Sequence, residues 1–322
     1  MTPKHFSESE RRTRKDRIDP RLKAWGWEIV PFEPHRPLTA YSRHAIEEYP
    51  TTHGPADYAL VVDGRLVGVV EAKKVTLGPQ NVLTQAERYS KGIADTGLNF
   101  AGYRAPFLFS TNGEVTWFHD ARHSLNRSRR VPGFPTPAAL QELLARDFDG
   151  ETAWFDENPN EHAWLRPYQK EANAAVEEAI GKRKRQMLLA MATGTGKTFT
   201  LVNQCYRLLK SNVGKRILFL VDRRVLAAQA VRAFASFDAE PNKRFDKIYE
   251  VYSQRFQSGD FEEGEAFDPK VLPRAYLEDP QPKHAFVYVS TIQRMAINLF
   301  GRQAVWQPVV EVGHELLAAR FE

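Results

Sequence analysis

The segment Ala192-Thr193-Gly194-Thr195-Gly196-Lys197-Thr198 has the residue types and spacing of a loop that cradles phosphate groups. Its glycines let backbone N–H groups turn inward, and the positive end of a following helix points at the same phosphate. A lysine in this position reaches the β- and γ-phosphates, and the hydroxyl that follows it ligates Mg²⁺. The sequence therefore predicts an ATP site made by Thr193, Gly194, Thr195, Gly196, Lys197 and Thr198, with Thr198 also holding Mg²⁺.

The residues around this loop predict the elements that a phosphate site requires. Met187–Met191 is an apolar run typical of a strand, a helix with Val202 and Tyr206 on one face follows the loop, and Arg216–Val221 is the next strand. Strand, glycine loop, helix and strand in this order favour a nucleotide site over a tight glycine turn beside a surface lysine. Met191 stands where the common pattern has glycine, which argues against kinases and small GTPases.

A second set of polar residues, Asp57, Glu71 and Lys73, has the spacing of a metal-dependent phosphodiesterase site. Two carboxylates suit Mg²⁺ at a scissile phosphate, and a lysine can orient the attacking water and stabilise developing negative charge. Residues two apart on a strand share a face, so Glu71 and Lys73 would point the same way. The set resembles the PD-(D/E)xK nuclease pattern, and surface salt pairs are the alternative explanation.

The two carboxylates flank a predicted β-hairpin with strands at Tyr58–Val62 and Leu66–Ala72. The Asp-Gly pair between these strands is a strong hairpin signal. A three-residue loop, 63–65, would set Asp57 directly opposite Glu71. Facing carboxylates repel by up to ~1 kcal/mol. A bound cation would relieve that repulsion, so the arrangement favours a metal site.

The first part of the chain, residues 1–130, has the pattern of a nuclease-like α/β domain around this hairpin. A helix predicted over residues 82–94 places Gln85 and Tyr89, four positions apart, on one face. A second hairpin is predicted where short apolar runs flank Asn112-Gly113.

The remainder, residues 161–322, alternates helix and strand, which predicts a second α/β domain with a parallel sheet. Clustered prolines followed by acidic residues mark 131–160 as the linker that precedes it. A polar insertion at 236–282 comes before a buried strand at Phe286–Val289. The predicted fold class of the whole chain is therefore α/β, with two domains.

Three segments of the second domain resemble motifs of superfamily 2 helicases, which implies a RecA-like domain. Gln169, shortly before the phosphate loop, matches a glutamine that reads adenine in those motors. Asp222-Arg223-Arg224 and Ser290-Thr291-Ile292-Gln293 each follow a strand and resemble segments that contact the DNA backbone. A solvated helix glutamine and an ordinary charged loop are the alternatives for Gln169 and for the arginines.

Composition excludes several classes of protein. A formal charge of +5 and a sequence pI of about 9.2 suit a polyanionic partner without requiring one. A single cysteine, Cys205, excludes a disulfide framework and a cysteine-based zinc site. Because the N-terminus lacks a signal-peptide core and no run of about 18 apolar residues occurs, we expect a cytoplasmic protein without a membrane partner.

Together, these motifs resemble the restriction (R) subunit of Type I restriction enzymes. In that family a Gln-x-x-x-Tyr pair accompanies the nuclease core, as Gln85 and Tyr89 do here. The resemblance also implies Glu10 as a further metal ligand, with Glu8 as the alternative. The matching residues are Asp57, Glu71, Lys73, Gln85 and Tyr89 in the nuclease part, and Gln169, Gly194, Thr195, Gly196, Lys197, Thr198, Asp222 and Gln293 in the motor part.

The resemblance implies ATP-driven translocation and Mg²⁺-dependent cleavage of double-stranded DNA, in a complex with methylation and specificity subunits. Such motors need an acidic Asp-Glu segment after an apolar strand, and none follows Gln293. We therefore expect an incomplete, truncated motor domain that binds ATP weakly without hydrolysing it. The alternatives are a stand-alone ATP-dependent helicase with a degenerate N-terminal domain and a non-catalytic DNA-binding or assembly fragment.

Overall fold

The computed structural model describes residues 10–73, 83–94, 96–254, 270–273, 276 and 284–300. Its internal contacts divide the chain into two compact units, Met1–Arg146 and Asp147–Glu322. Within the described residues, no helix is both long and apolar enough to cross a membrane.

The first unit begins with a helical segment, residues 10–24, and continues with strands, a 3-10 turn (Leu38–Ala40) and two further α-helices. Its elements are α1 (Glu10–Thr13), a π-helical stretch (Arg14–Ile18), α2 (Asp19–Ala24), β1 (Glu28–Pro31), β2 (Arg43–Tyr49), β3 (Ala56–Val62), β4 (Arg65–Ala72), α3 (Leu83–Gly92), β5 (Phe107–Thr111), β6 (Thr116–Asp120), β7 (Arg129–Val131) and α4 (Pro137–Ala145).

The described strands of this unit form a seven-stranded sheet whose spatial order follows the chain from β1 to β7. The pairs β1–β2 and β4–β5 are parallel, and the other neighbouring pairs are antiparallel. Helix α3 occurs between β4 and β5, because a parallel pair needs a long crossover connection. The antiparallel pairing of β5 with β6 confirms the predicted second hairpin.

Both faces of this sheet are covered, because successive strand residues point to opposite faces. Leu60 belongs to an apolar cluster that includes Leu22 of the N-terminal helical segment and Leu140 of α4. Its neighbour Val61 belongs to a second cluster that includes Ala86 of α3. Helix α3 therefore covers one face, and the N-terminal helical segment and α4 cover the other.

The hairpin of β3 and β4 has the predicted strands but a different turn. Val62 pairs with Arg65, so the loop has two residues, and Asp63 and Gly64 adopt positive φ angles of 45° and 75°, as expected of an Asp-Gly hairpin turn. The predicted three-residue loop is therefore wrong. The pairing then shifts by one residue between Leu60 and Val61, which restores the register that the longer loop was expected to produce.

The second unit begins with three helices, which are followed by one strand, a fourth helix, a series of strands and a last helix. Its elements are α5 (Phe148–Glu157), α6 (Pro167–Gly181), α7 (Lys197–Lys210), β8 (Arg216–Val221), α8 (Arg224–Ser236), β9 (Asp238–Glu240), β10 (Lys243–Arg244), β11 (Glu250–Ser253), β12 (Lys270–Val271), β13 (Phe286–Thr291) and α9 (Ile292–Phe300). Four of the described strands form a parallel sheet in the order β12-β11-β13-β8, as predicted for this domain.

Two sequence predictions about this unit need correction. The apolar run Met187–Met191 is not a strand, and Leu188 is 93% exposed. A strand requires a neighbour for its backbone groups, and no described residue pairs with this run. The predicted insertion, 236–282, contains β11 and β12, which join the sheet; residues 255–269, 274–275 and 277–283 lie outside the described part.

The predicted linker, 131–160, is also corrected, because its residues are built into the two units. Helix α4 buries Leu140 in the first unit, and α5 buries Phe155 in the core of the second. One of the prolines and one of the acidic residues lie at helix starts. Pro137 opens α4, and Asp147 caps α5 through a 3.0 Å hydrogen bond that its Oδ1 accepts from Gly150 N.

Candidate functional site

The predicted carboxylates lie at the same end of the central hairpin. Tyr58 pairs with Val70, so Asp57 and Glu71 are the next opposed positions on β3 and β4. Asp57 Oδ2 accepts a hydrogen bond from the backbone N–H of Ala72 at 2.7 Å. Glu71 is only 3% exposed. The hairpin therefore brings the two acidic side chains together, as the spacing predicted.

Lys73 connects this pair to helix α3. Its Nζ donates to Glu71 Oε1 at 2.5 Å and to Gln85 Oε1 at 2.9 Å. Gln85 in turn donates from Nε2 to the Tyr89 hydroxyl at 2.7 Å. All five residues predicted for nuclease chemistry thus lie in one cluster, while their catalytic roles stay a prediction.

The electrostatics of Tyr89 reflect this cluster. Burial raises the pKa of the Tyr89 phenol; the hydrogen bond from Gln85 works against this shift, and the negative charges of Glu71 and Asp57 add to it. Tyr89 is therefore a neutral hydroxyl at neutral pH. It can hold the Gln85 amide without adding a charge to the site.

Arg14, which the sequence did not single out, also reaches the carboxylates. Its Nη1 donates to Asp57 Oδ1 at 2.7 Å and to Glu48. Burial alone would lower the pKa of Arg14, but the hydrogen bonds and charges of Glu48 and Asp57 raise it further, so the guanidinium stays charged. Because 43 positions separate Arg14 from Asp57, no local pattern could reveal this contact.

The donor set suits the metal that the sequence predicted. Carboxylate oxygens are the ligands that Mg²⁺ prefers, and one or two carboxylates with waters commonly hold it. Asp57 and Glu71 therefore fit this ion. The described part of the chain contains no group of three or more His, Cys, Asp or Glu arranged for a metal. Glu10 opens α1, but its side chain and all of Glu8 lie outside that part.

The phosphate loop has the backbone conformation that its glycines predict. Gly194 and Gly196 have φ angles of 80° and 77°, and α7 begins at Lys197. Lys197 Nζ donates to Met191 O at 2.9 Å, so the ammonium group lies over the loop backbone. Thr193 and Thr198 are exposed beside it.

Gln169 joins helix α6 to this loop. Its Oε1 accepts from Arg166 N at 2.9 Å, and its Nε2 donates to Thr195 O at 2.9 Å. A Cβ on Gly196 would lie 2.6 Å from Gln169 Nε2, so this close approach requires glycine. The residue therefore contacts the glycine loop, with both ends of its amide bonded to the protein, and its role in reading adenine stays a prediction.

A cavity of about 320 Å³ opens between this glutamine and the loop. Trp164, Arg166 and Phe199 line it together with the loop glycines. Trp164 is 76% exposed, which is unusual for so large an apolar ring. Trp164 was not among the residues predicted from the sequence, although an aromatic residue five positions before Gln169 was a usable signal.

The two predicted DNA-contacting segments meet at one edge of the parallel sheet. Val221 pairs with Thr291, so Asp222 and Gln293 follow the carboxyl ends of neighbouring strands. Gln254, which the sequence did not indicate, lies at the same edge and accepts hydrogen bonds through Oε1 from the backbone N–H and hydroxyl of Thr291. The structure thus brings these segments together, and their contact with DNA stays a prediction.

Comparison with known proteins defines the class. Residues 163–314 match the family described as "Type III restriction enzyme, res subunit". Residues 35–144 match the family described as "Type I restriction enzyme EcoKI endonuclease subunit second domain". Both halves of the chain therefore resemble restriction-enzyme subunits, the second through a helicase-like domain.

Three individual proteins are also similar to this chain, and two of them are Type I endonuclease subunits. The Type I restriction enzyme EcoKI endonuclease subunit of Escherichia coli K12 is 34% identical over 286 residues, which are 73% of this chain and 24% of that protein. The EcoAI endonuclease subunit of Escherichia coli is 33% identical over 182 residues, 50% of this chain and 22% of that protein. UvrABC system protein B of Staphylococcus epidermidis is 34% identical over 86 residues, 27% of this chain and 12% of that protein.

These matches confirm the resemblance that the motifs predicted. The chain is related to the endonuclease (R) subunits of Type I restriction enzymes. It spans about a quarter of the length of the Type I relatives that it matches.

Proposed function

We propose that this chain carries the nuclease part and the ATP-binding loop of a Type I restriction endonuclease subunit. The nuclease would cut double-stranded DNA with Mg²⁺. The observation that supports it most strongly is the run of contacts from Glu71 through Lys73 and Gln85 to Tyr89, with Asp57 bonded to Ala72 beside it.

Each side chain of this cluster has a distinct proposed task. Asp57 and Glu71 would hold Mg²⁺, which when bound polarises the scissile phosphate and activates water. Lys73 places a positive charge beside Glu71, where it can orient the attacking water and stabilise negative charge on the phosphate oxygens. Gln85 holds the lysine ammonium in place, and Tyr89 holds the Gln85 amide.

The second unit supplies the proposed nucleotide site. Gly194, Thr195 and Gly196 would surround the phosphates, Lys197 would move from Met191 O to the β- and γ-phosphates, and Thr198 would ligate Mg²⁺. The cavity beside the loop would receive the base. There, the exposed ring of Trp164 can stack on it, because aromatic faces bind bases by stacking.

We also propose a role for this chain in a larger assembly. By its relationship to Type I endonuclease subunits, we propose that it works in DNA translocation together with methylation and specificity subunits. Reading of the DNA sequence would then belong to the specificity subunit. The strand-end segments around Asp222 and Gln293 would contact DNA phosphates, which position the duplex without specifying its sequence.

Cleavage of supercoiled plasmid DNA by the purified chain tests the nuclease proposal. We expect nicking that needs Mg²⁺ and is lost in Asp57→Asn and in Lys73→Met. Asp63→Asn is the matched control, since it removes a carboxylate from the turn of the same hairpin and asparagine tolerates that residue's positive φ.

The outcome separates the proposed function from its alternatives. A degenerate nuclease domain attached to a helicase predicts DNA-stimulated ATP turnover that Asp57→Asn leaves unchanged, with no nicking. A DNA-binding or assembly fragment predicts binding without any turnover. Nicking that persists equally in both site variants would contradict the proposed catalytic residues.

A further inference from the structure

The guanidinium of Arg14 binds the carboxylate of Asp57, which is also a proposed metal ligand. Its Nη1 donates to Asp57 Oδ1 at 2.7 Å and to Glu48, and its Nη2 lies 3.7 Å from Glu47 Oε1. Arg14 is only 9% exposed. The contact with Asp57, whose side chain is 16% exposed, is therefore made largely out of water, where attraction between opposite charges is strong. The Glu48 side chain is more than half exposed.

The other oxygen of Asp57 has a backbone partner. Oδ2 accepts from Ala72 N–H at 2.7 Å, which restricts rotation of the carboxylate and directs Oδ1 towards Arg14. An ion shared between Asp57 and Glu71 must bind an Asp57 carboxylate that already has a cation beside it. The positions of the metal and of the guanidinium are thus coupled through one side chain.

The neighbouring residue, Lys15, pairs with other carboxylates. Lys15 Nζ lies 2.5 Å from Glu47 Oε1 and 3.1 Å from Asp19 Oδ2. Glu47 and Asp19 therefore have a cation of their own. The charge of Arg14 is directed mainly at Glu48 and Asp57, which face it from β2 and β3.

We propose that Arg14 is an internal counter-cation that competes with the divalent metal for Asp57. The inference rests on the proposed metal-dependent nuclease. A guanidinium and a divalent cation on one carboxylate repel each other, so tight metal binding requires Arg14 to release Oδ1. Since Arg14 lies in the helical segment 10–24, metal affinity depends on where that segment packs.

Metal titration of the full-length chain tests this competition. Mn²⁺ alone is the probe, binding is measured by isothermal titration calorimetry, and thermal unfolding is followed with Mn²⁺ and with chelator. Arg14→Met removes the charge and keeps an unbranched side chain. We expect its Mn²⁺ affinity to rise at least about tenfold, as loss of a charged hydrogen-bond competitor implies.

Stability provides a second readout. Without metal, Arg14→Met leaves a cluster of carboxylates without its counter-cation, so its Tm in chelator should fall below that of the wild type. Mn²⁺ should then raise the Tm of the variant by more than it raises the Tm of the wild type. Arg17→Met is the matched control, since it loses a charge from the same helical segment but contacts Glu114 at 3.1 Å.

The charge rather than the shape of Arg14 should decide the result, so Arg14→Lys should bind Mn²⁺ with nearly wild-type affinity. A folded Arg14→Met protein with unchanged or weaker Mn²⁺ affinity overturns the competition. Asp57→Asn separates the two proposals. If it leaves Mn²⁺ binding intact in both backgrounds, the metal site itself is wrong; if binding needs Asp57 but ignores Arg14, only the competition is wrong.

Discussion

Asp57 on β3 is tied to Ala72 on β4 by a 2.7 Å hydrogen bond from the backbone N–H to Oδ2. Ala72 lies between Glu71 and Lys73, whose side chains point to the opposite face of the strand from its own. The bond therefore holds the Asp57 carboxylate at the same level of the hairpin as these two candidate residues. Such a backbone donor positions the carboxylate before any ligand arrives, which favours catalysis by a preorganised site.

The hydrogen bonds behind Lys73 should matter for catalysis rather than for DNA binding. Gln85→Met removes the acceptor that holds the lysine, and Tyr89→Phe removes the group that holds the glutamine. We expect cleavage to fall by roughly ten- to a hundredfold in each variant, the range seen for groups that orient a catalytic side chain.

Steady-state nicking assays should show this loss in kcat, with KM for DNA nearly unchanged. Gln85→Glu keeps an acceptor for Lys73 and should retain more activity than Gln85→Met. Lys91→Met, on the same helix but stacked over Tyr103, should behave as the wild type. A main effect on KM would instead assign Gln85 and Tyr89 to DNA binding.

Trp164 should report on nucleotide binding. Its exposed ring lines the cavity beside the phosphate loop, so ATP should quench its fluorescence. In Trp164→Ala the quenching should disappear and the ATP affinity should fall roughly tenfold, because stacking of a base on an aromatic ring is worth about 1–3 kcal/mol.

Trp25→Ala is the control for this measurement, since Trp25 is another exposed tryptophan and belongs to the first unit. This variant should keep the wild-type fluorescence quenching by ATP and the wild-type ATP affinity. Lys197→Ala should abolish ATP binding. Trp164→Ala protein that binds ATP as tightly as the wild type would show that the base lies elsewhere.

Tyr58 should make the first unit sensitive to alkali. Burial and the 2.5 Å hydrogen bond to Asp19 raise the pKa of the Tyr58 phenol above its ordinary value of 10. The stabilisation from this tyrosine is therefore complete below about pH 10 and is lost as the pH rises beyond it.

Urea unfolding at several pH values checks the sign of this dependence. At pH 8, Tyr58→Phe should be less stable by about 1–3 kcal/mol, because Asp19 loses a buried donor. The difference between the two proteins should shrink as the pH is raised above 10. A difference that stays constant or grows with pH would contradict the assignment.

The second unit should depend on a buried ion pair between α6 and α7. Arg207 binds Glu177 through two hydrogen bonds of 2.6 and 2.9 Å, and both side chains are buried. Arg207→Met leaves a carboxylate buried without its cation, so we expect a loss of about 3–5 kcal/mol in the free energy of unfolding.

The pair of substitutions Glu177→Met and Arg207→Met should recover much of this loss, because an apolar pair has no charge to desolvate. Lys182→Met breaks the exposed pair with Glu178 and should leave stability nearly unchanged. If Lys182→Met and Arg207→Met lowered the free energy of unfolding equally in urea, burial would not decide how much an ion pair contributes to stability.

Predictions that depended on local pattern succeeded for the two hairpin strands, although the predicted loop was one residue too long, and failed where a distant partner was needed. Asp63-Gly64 specifies its turn through backbone conformation alone, so β3 and β4 were predictable. The apolar run Met187–Met191 looked like a strand, yet strand formation depends on a neighbour that periodicity cannot supply. The proline-rich stretch 131–160 was misread because helix starts and linkers use the same residues.

The sequence by itself determined which groups are candidates for chemistry. The spacing of Asp57, Glu71 and Lys73 and the glycine loop before Lys197 are properties of short segments, where backbone geometry decides which residues share a face or a turn. Only the tertiary structure decided what surrounds those groups. Arg14 at Asp57 and Trp164 beside the phosphate loop arise from packing between segments that the chain alone does not align. Contacts between distant segments depend on which of their surfaces are buried against each other, and the spacing of residues within one segment does not specify this.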